Sequence, residues 1–310
     1  MKFNNFNEIV NSSQSESPKT IAVAAAQDTD VLKALMNARQ KGIVNAILVG
    51  EKEEIVKIAL EHQLDIRDFQ IVDVKDKEKA CRIAVELAFK GEAQLIMKGM
   101  VDSSVLLKAI LDKDIGITKG SIMSHISVFE IPGYHHLFFL SDAAMNLAPN
   151  LEQKKEILKN AVLVAHALGN EYPKVGVICA IEKINPKMQA TVDAGELVKM
   201  NHNGLITGCI VGGPYALDNA ISQEAARHKG ITDPLAGHSE ILLVPTIEAG
   251  NVLYKSIVYF AKAKSARIIV GAKVPIVLTS RADSDETKLN SIAIGVLLAE
   301  YLTVKNTSNC

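Results

Sequence analysis

A hydroxyl and a guanidinium stand side by side at Ser280 and Arg281, within Thr279-Ser280-Arg281-Ala282-Asp283-Ser284-Asp285-Glu286. An apolar run ends just before them and an amphipathic run begins just after. Arginine presents a rigid fork of donors matched to phosphate oxygens. The start of a helix adds free N–H groups and the positive end of its dipole. Such a junction suits a phosphate or similar oxyanion. The plainer alternative is that Asp283 caps the helix, Glu286 closes a capping box and Arg281 makes a surface ion pair.

Three further junctions have the same form. Met97-Lys98-Gly99-Met100-Val101-Asp102-Ser103-Ser104 runs from a strand through a lysine and a glycine to a hydroxyl pair. It reads either as an ordinary turn with Asp102 or Ser103 as N-cap, or as an anion pocket charged by Lys98. Gly212-Gly213-Pro214 permits a tight turn, or lets a ligand approach the backbone at Gly213. Its proline is expected near the first helical position. In Pro245-Thr246-Ile247-Glu248-Ala249-Gly250-Asn251 the helix is expected to start at Gly250 or Asn251, with Asn251 as cap or as ligand donor.

Other chemistries lack their residues. There is no G-x-G-x-x-G, no G-x-x-x-x-G-K-[ST] and no G-x-S-x-G, which argues against a standard dinucleotide fold, a P-loop and a hydrolase elbow. The eight histidines form no ligand-spaced cluster, so no metal is expected. Cys81, Cys179, Cys209 and Cys310 stand far apart and read as free thiols in a reducing compartment.

The elements that must position these residues alternate along the chain. Strands are predicted over 21–26, 46–49, 69–74 and 93–101, and helices over 28–41 and 51–62. Ala80, Ile83, Ala84, Leu87 and Ala88 share one face of a third helix. Strands too apolar to have a solvent face imply a parallel sheet covered on both sides. Near residue 125 the pattern changes to a hairpin, 127–130 and 136–140, around Ile131-Pro132-Gly133-Tyr134. A helix over 151–169 follows, then strands at 175–181, 208–211, 241–244 and 274–278. The last helix is expected from about Asp285 to Tyr301. Two α/β domains result, with a boundary somewhere in 125–145.

The 310 residues are 48% hydrophobic and carry a net charge of −1. That balance points away from nucleic-acid and membrane-surface partners. The first twenty residues are polar and Ser-rich, and no apolar run approaches the ~18 residues of a membrane span. A soluble cytoplasmic protein is expected.

Taken together, the junctions resemble the phosphate acetyl/butyryltransferase family. The matching residues are Lys98-Gly99-Met100-Val101, Gly213-Pro214 with Leu217-Asp218-Asn219-Ala220, Asp233-Pro234-Leu235-Ala236-Gly237, Ala249-Gly250-Asn251-Val252-Leu253-Tyr254-Lys255 and Ser280-Arg281. They occur in the family's order over roughly residues 90–300. The compact length and the Ser-Arg-Ala-Asp-Ser wording resemble the butyryltransferase branch more than the acetyltransferase branch.

The resemblance implies an isocitrate/isopropylmalate dehydrogenase-like α/β fold of two domains with a cleft between them. Residues 1–127 and 268–310 would form the first domain and 128–267 the second. It further implies direct transfer of a short acyl group between coenzyme A and orthophosphate. Coenzyme A would be a substrate, with no tightly bound cofactor, and the assembly a homo-oligomer. Ser280 would hydrogen-bond the tetrahedral centre and Arg281 would hold phosphate. Lys98, Gly99, Ser103, Gly213 and Asn251 would bind substrate. Acetyltransferases of the family place the thiol's base where this chain has Thr287, so Asp283, Asp285 and Glu286 are the candidates, Asp283 first. A catalytically silent protein on the same scaffold and a nicotinamide-dependent decarboxylating dehydrogenase are the rival readings.

Overall fold

The computed structural model describes residues 2–118, 120, 122–280 and 283–308. The chain divides into two compact units, Phe6–Ser121 with Ala266–Cys310, and Met1–Asn5 with Ile122–Ser265.

The first of these begins with a helix, α1 (Phe6–Ser12), that buries Phe6, Ile9 and Val10. The polar composition around it does not announce this element. Alternation then follows as expected: β1 (Lys19–Ala24), α2 (Thr29–Gln40), β2 (Val44–Gly50), α3 (Lys52–Glu61), β3 (Gln70–Asp73), α4 (Lys77–Phe89), β4 (Leu95–Lys98) and α5 (Ser103–Ile110). The Asp28 side chain caps α2 by accepting the Val31 N–H at 3.0 Å. Val31, Leu32, Ala34, Leu35 and Ala38 form the buried face of that helix. β1 runs parallel to both β2 and β4, and its residues Ile21 to Ala24 are wholly buried, as a strand covered on both faces must be.

The other unit starts with the antiparallel pair β5 (Ser124–Glu130) and β6 (Phe138–Ser141). It continues through α6 (Leu151–Ala167), β7 (Lys174–Ile178), α7 (Gln189–His202), β8 (Ile210–Tyr215), α8 (Leu217–Ile221), α9 (Gln223–His228), β9 (Ile241–Leu243) and α10 (Ile247–Tyr259). Its strands lie in the order β5-β6-β9-β7-β8, with β6, β9, β7 and β8 parallel. The capping box at the head of α6 is complete, Asn150 and Gln153 each accepting the other's backbone N–H. Phe129, Leu140, Tyr215, Leu242 and Tyr254 belong to the core of this unit.

The chain then returns to the first unit through β10 (Lys264–Val270), β11 (Ile276–Val277) and α11 (Asp285–Ser308). Their addition makes the order β3-β2-β1-β4-β11-β10, with β11 parallel to β4 and antiparallel to β10. β10 opens on Lys264-Ser265 and is absent from the elements read out of the sequence, because its apolar half is short and broken by Arg267. The strand expected over 274–278 contracts to Ile276–Val277. Pro214 lies inside β8 rather than at a helix start, and α10 begins at Ile247, before Gly250.

One interaction in the second unit sets a test of its packing. Lys154 on α6 and Asp193 on α7 pair at 2.6 Å, with side chains 7% and 5% exposed. Gln189 donates to the other Asp193 oxygen at 2.8 Å. Removing one partner of a buried pair strands the other charge and costs about 3–5 kcal/mol, whereas an apolar pair of similar volume is often tolerated. Lys154→Ala is therefore expected to lower the urea unfolding midpoint sharply, and Lys154→Met with Asp193→Leu to recover most of the loss. An unchanged midpoint in Lys154→Ala would show that the pair does not hold α6 to α7.

Candidate active site

In a parallel sheet the carboxyl ends of the strands open onto the N-termini of the helices that follow. In the first unit, register places two such ends side by side. Lys98 aligns with Ala24 of β1, and Val277 of β11 aligns with Met97. The segments leaving β4 and β11, Lys98 to Ser103 and Leu278 to Ser280, are thereby neighbours. Together with Arg267 of β10 they line a cleft of about 270 Å³.

Lys98 is buried at 6% exposure. Its Nζ donates to the Gly99 and Val101 carbonyls, each at 3.1 Å. The lysine therefore shapes its own loop while lining the cleft. Gly99 is required by contact: a Cβ there would meet the Ala25 carbonyl oxygen at 2.2 Å. Backbone bonds from Gly99 and Met100 to the Ala24 and Ala25 carbonyls, 2.9 and 2.7 Å, hold the two strand exits together. Ala25 itself takes a φ of 56° to make this turn. Asp102 occupies the N-cap position of α5, and Ser103 is its first residue.

Across the cleft, Ser280 and Asp283 are bonded reciprocally. The Ser280 N–H donates to Asp283 Oδ2 at 2.7 Å, and the Asp283 N–H donates to the Ser280 carbonyl at 3.1 Å. Asp283 Oδ1 receives Nη2 of Arg267 in an ion pair, both side chains 11% exposed. The side-chain cap of α11 is Ser284, whose Oγ accepts the Thr287 N–H at 3.2 Å, so Asp283 is not the cap that its spacing allowed. Arg281 lies outside the described residues. Asp285 precedes Glu286, which is exposed and whose N–H donates to Asp285 Oδ1 at 2.9 Å.

Lys98, Ser103 and Ser280 thus share one cleft, with Gly99 behind them. Gly213 and Asn251 belong to the other unit and have local partners. Gly213 sits in β8 at φ +138°, where a Cβ would meet the Val177 carbonyl oxygen at 3.0 Å. Asn251 is exposed on α10 and donates to the Ala143 carbonyl at 3.3 Å. That carbonyl follows Asp142, a buried carboxylate that collects the N–H groups of His125, Ala144 and Met145 and the Asn146 amide. Arg267 is the cleft residue that the sequence reading missed. Its signal was a lone arginine followed by Ile268-Ile269-Val270.

The three described cysteines are buried, and burial pushes each thiol up to about 11. For Cys81 the Lys98 charge opposes that rise without cancelling it. Such thiols stay protonated at neutral pH and are inert as nucleophiles.

The chain is similar to known proteins along most of its length. The family model described as phosphate acetyl/butaryl transferase matches residues 5–88 and 77–296. The phosphate butyryltransferase of Clostridium acetobutylicum is 50% identical over 294 residues, covering 95% of this chain and 98% of that protein. A phosphate acetyltransferase of Thermotoga maritima is 47% identical over 281 residues, 91% and 95% of the two chains. The crystal structure of a branched-chain phosphotransacylase from Enterococcus faecalis superimposes with a TM-score of 0.80 at 34% identity, covering 91% of this chain and 99% of that one.

Because the obstacle at Gly99 is backbone, it cannot swing aside. Gly99→Ala is expected to cost about 1–3 kcal/mol, the usual scale of overpacking, and to displace the Lys98 loop. Unfolding in urea and initial rates measured on the same preparation check this. A wild-type midpoint would show that the ends of β1 and β4 are not in such close contact.

Proposed function

Since the chain belongs to the phosphate acetyl/butaryl transferase family, and is a transferase on that ground, we propose that its reaction is reversible exchange of orthophosphate for coenzyme A on a short acyl group, butyryl before acetyl. The observation that carries the proposal is the cleft in which the Ser280 segment faces Lys98 and the head of α5, with Arg281 next in sequence.

The chemistry follows from these groups. Coenzyme A's thiol, with an ordinary pKa near ~8.5, is partly thiolate at neutral pH. It attacks the carbonyl carbon of butyryl phosphate, the carbon–oxygen bond to phosphate breaks, and orthophosphate leaves. Ser280 donates its hydroxyl hydrogen to the carbonyl oxygen as charge develops there. Arg281 grips the phosphate oxygens, and the Lys98 ammonium and the N-terminus of α5 lower the potential around them. Gly213 and Asn251 are retained as substrate-binding residues on the family resemblance. The inertness of Cys81, Cys179 and Cys209 favours direct transfer over an acyl-thioester on the enzyme.

The proposal extends to the setting: coenzyme A as substrate rather than resident cofactor, a homo-oligomer, and a place in the cytoplasm. No helix among the described residues is long and apolar enough to cross a membrane, and no group of three or more potential ligands among them forms a metal site. The similarity to the Thermotoga acetyltransferase keeps acetyl as the second reading.

Two measurements test this. Arg281→Ala is expected to lose about 100-fold in kcat/KM, the equivalent of one charge-assisted contact of roughly 3 kcal/mol, and Arg281→Lys to restore little. Near-normal kinetics in Arg281→Ala would remove the residue from the site. Thiol release from acetyl-, propionyl-, butyryl-, isobutyryl- and valeryl-CoA with phosphate reports chain length. Two extra methylenes at about 0.8 kcal/mol each predict butyryl ahead of acetyl by roughly 15-fold. A profile peaking at acetyl would establish the second reading, and no release from any of the five would favour a silent protein.

A further inference from the structure

We propose that Arg267, Asp283 and Lys288 are positioning residues forming a charged clamp that fixes Ser280, and that the Asp283 carboxylate serves this clamp rather than accepting the thiol's proton; the proposal rests on the acyl-transfer reading above.

The clamp has its anchor in β10. The Arg267 backbone N–H donates to Ser291 Oγ at 2.9 Å, and that hydroxyl donates to the Thr287 carbonyl at 2.7 Å. Strand and helix are thus bonded to each other before Arg267 extends its side chain to Asp283 Oδ1. From the other side, Lys288 Nζ donates to the Asp283 carbonyl at 2.5 Å and lies 4.0 Å from Asp30 Oδ2 at the head of α2. Asp283 is held by both its carboxylate and its carbonyl. Through the reciprocal pair with Ser280 it transmits that constraint to the backbone of the catalytic hydroxyl.

Two features argue that this is more than packing. Lys288 is 2% exposed. It stands four residues before Ile292 and so on the buried face of α11, where a desolvated ammonium needs acceptors to hold it. An ammonium there supplies what a methionine could not, a directed bond to the Asp283 carbonyl. The carboxylate also has both oxygens turned to donors of the chain, one guanidinium and one N–H. A general base needs an oxygen directed at the proton it takes. The clamp is also charge-balanced, Arg267 and Lys288 against Asp283 and Asp30.

Lys288→Met separates positioning from stability. Its urea midpoint is expected to fall by no more than the loss of one hydrogen bond to the Asp283 carbonyl explains. Its kcat with butyryl-CoA and phosphate is expected to fall about 10- to 100-fold, the scale of a ~1 Å misplacement, with KM for butyryl-CoA little changed. Amide hydrogen exchange in the peptide holding Ser280 and Asp283 should quicken in the same variant, whatever the activity. Asp283→Asn keeps an acceptor for the Ser280 N–H, so its pH–rate profile should run parallel to the wild type's at a lower level. An Asp283→Asn rate that climbs with pH until it meets the wild type's would make Asp283 the base and overturn the clamp. So would Lys288→Met with wild-type kcat and wild-type exchange. If Lys288→Met does not fold, Arg267→Gln carries the same readouts. A wild-type protein inactive on all the acyl-CoAs would count against the acyl-transfer reading alone, since the exchange measurement decides the clamp independently.

Discussion

The register between β4 and its two parallel neighbours is the constraint on which the site depends. Backbone hydrogen bonds set Ala24 beside Lys98 and Met97 beside Val277. Parallel strands released at one level release their following segments at one level. A slip of one residue would turn every side chain of β4 to the opposite face, sending Lys98 away from Ser280. The close approach at Gly99 makes such a slip costlier, since only a glycine fits against the Ala25 carbonyl. The placement of Lys98 beside the Ser280 segment is thus fixed by ladder geometry.

Three lysines are buried among the described residues, and each is handled by the same rule. An ammonium removed from water must find acceptors, or its desolvation outweighs the packing around it. Lys98 uses two carbonyls of its own loop, Lys154 uses the Asp193 carboxylate, and Lys288 uses the Asp283 carbonyl with Asp30 nearby. Two of the three lie at the cleft or directly behind it. Polar order there stands in for the apolar packing that sets positions elsewhere. It is also directional, which a hydrophobic contact is not.

Such an arrangement matches the demands of acyl transfer to phosphate. Both substrates are reactive at neutral pH, so the protein's main contribution is to place them and to stabilise charge on the carbonyl and phosphate oxygens. In the proposed reaction a serine whose backbone is tied to Asp283, beside the fixed Lys98 ammonium, does that with little reorganisation. The three described thiols are buried and pushed up by desolvation.

Much of this was legible in the residues alone. Unbroken apolar runs alternating with amphipathic segments determined a parallel α/β sheet, because burial on both faces leaves a strand no polar side. The strand-to-helix junctions at Lys98 and Ser280 were visible for a similar reason, as the places where that alternation leaves N–H groups unspent. What stayed hidden depends on contacts between residues far apart in the chain. β10 opens too polar to read as a strand, so Arg267 could not be placed at the cleft. Lys288 was indistinguishable from a solvated lysine, because periodicity assigns a face and says nothing of what that face meets. Asp283 showed the same limit. Spacing allowed it to be a cap and the family resemblance made it a candidate base, whereas the fold turned its oxygens to Arg267 and the Ser280 N–H and gave the cap to Ser284. Local pattern determines which elements form, since propensity and burial act over a few residues. Only tertiary structure decides which side chains become partners, since hydrogen-bond geometry acts across space and not along the chain.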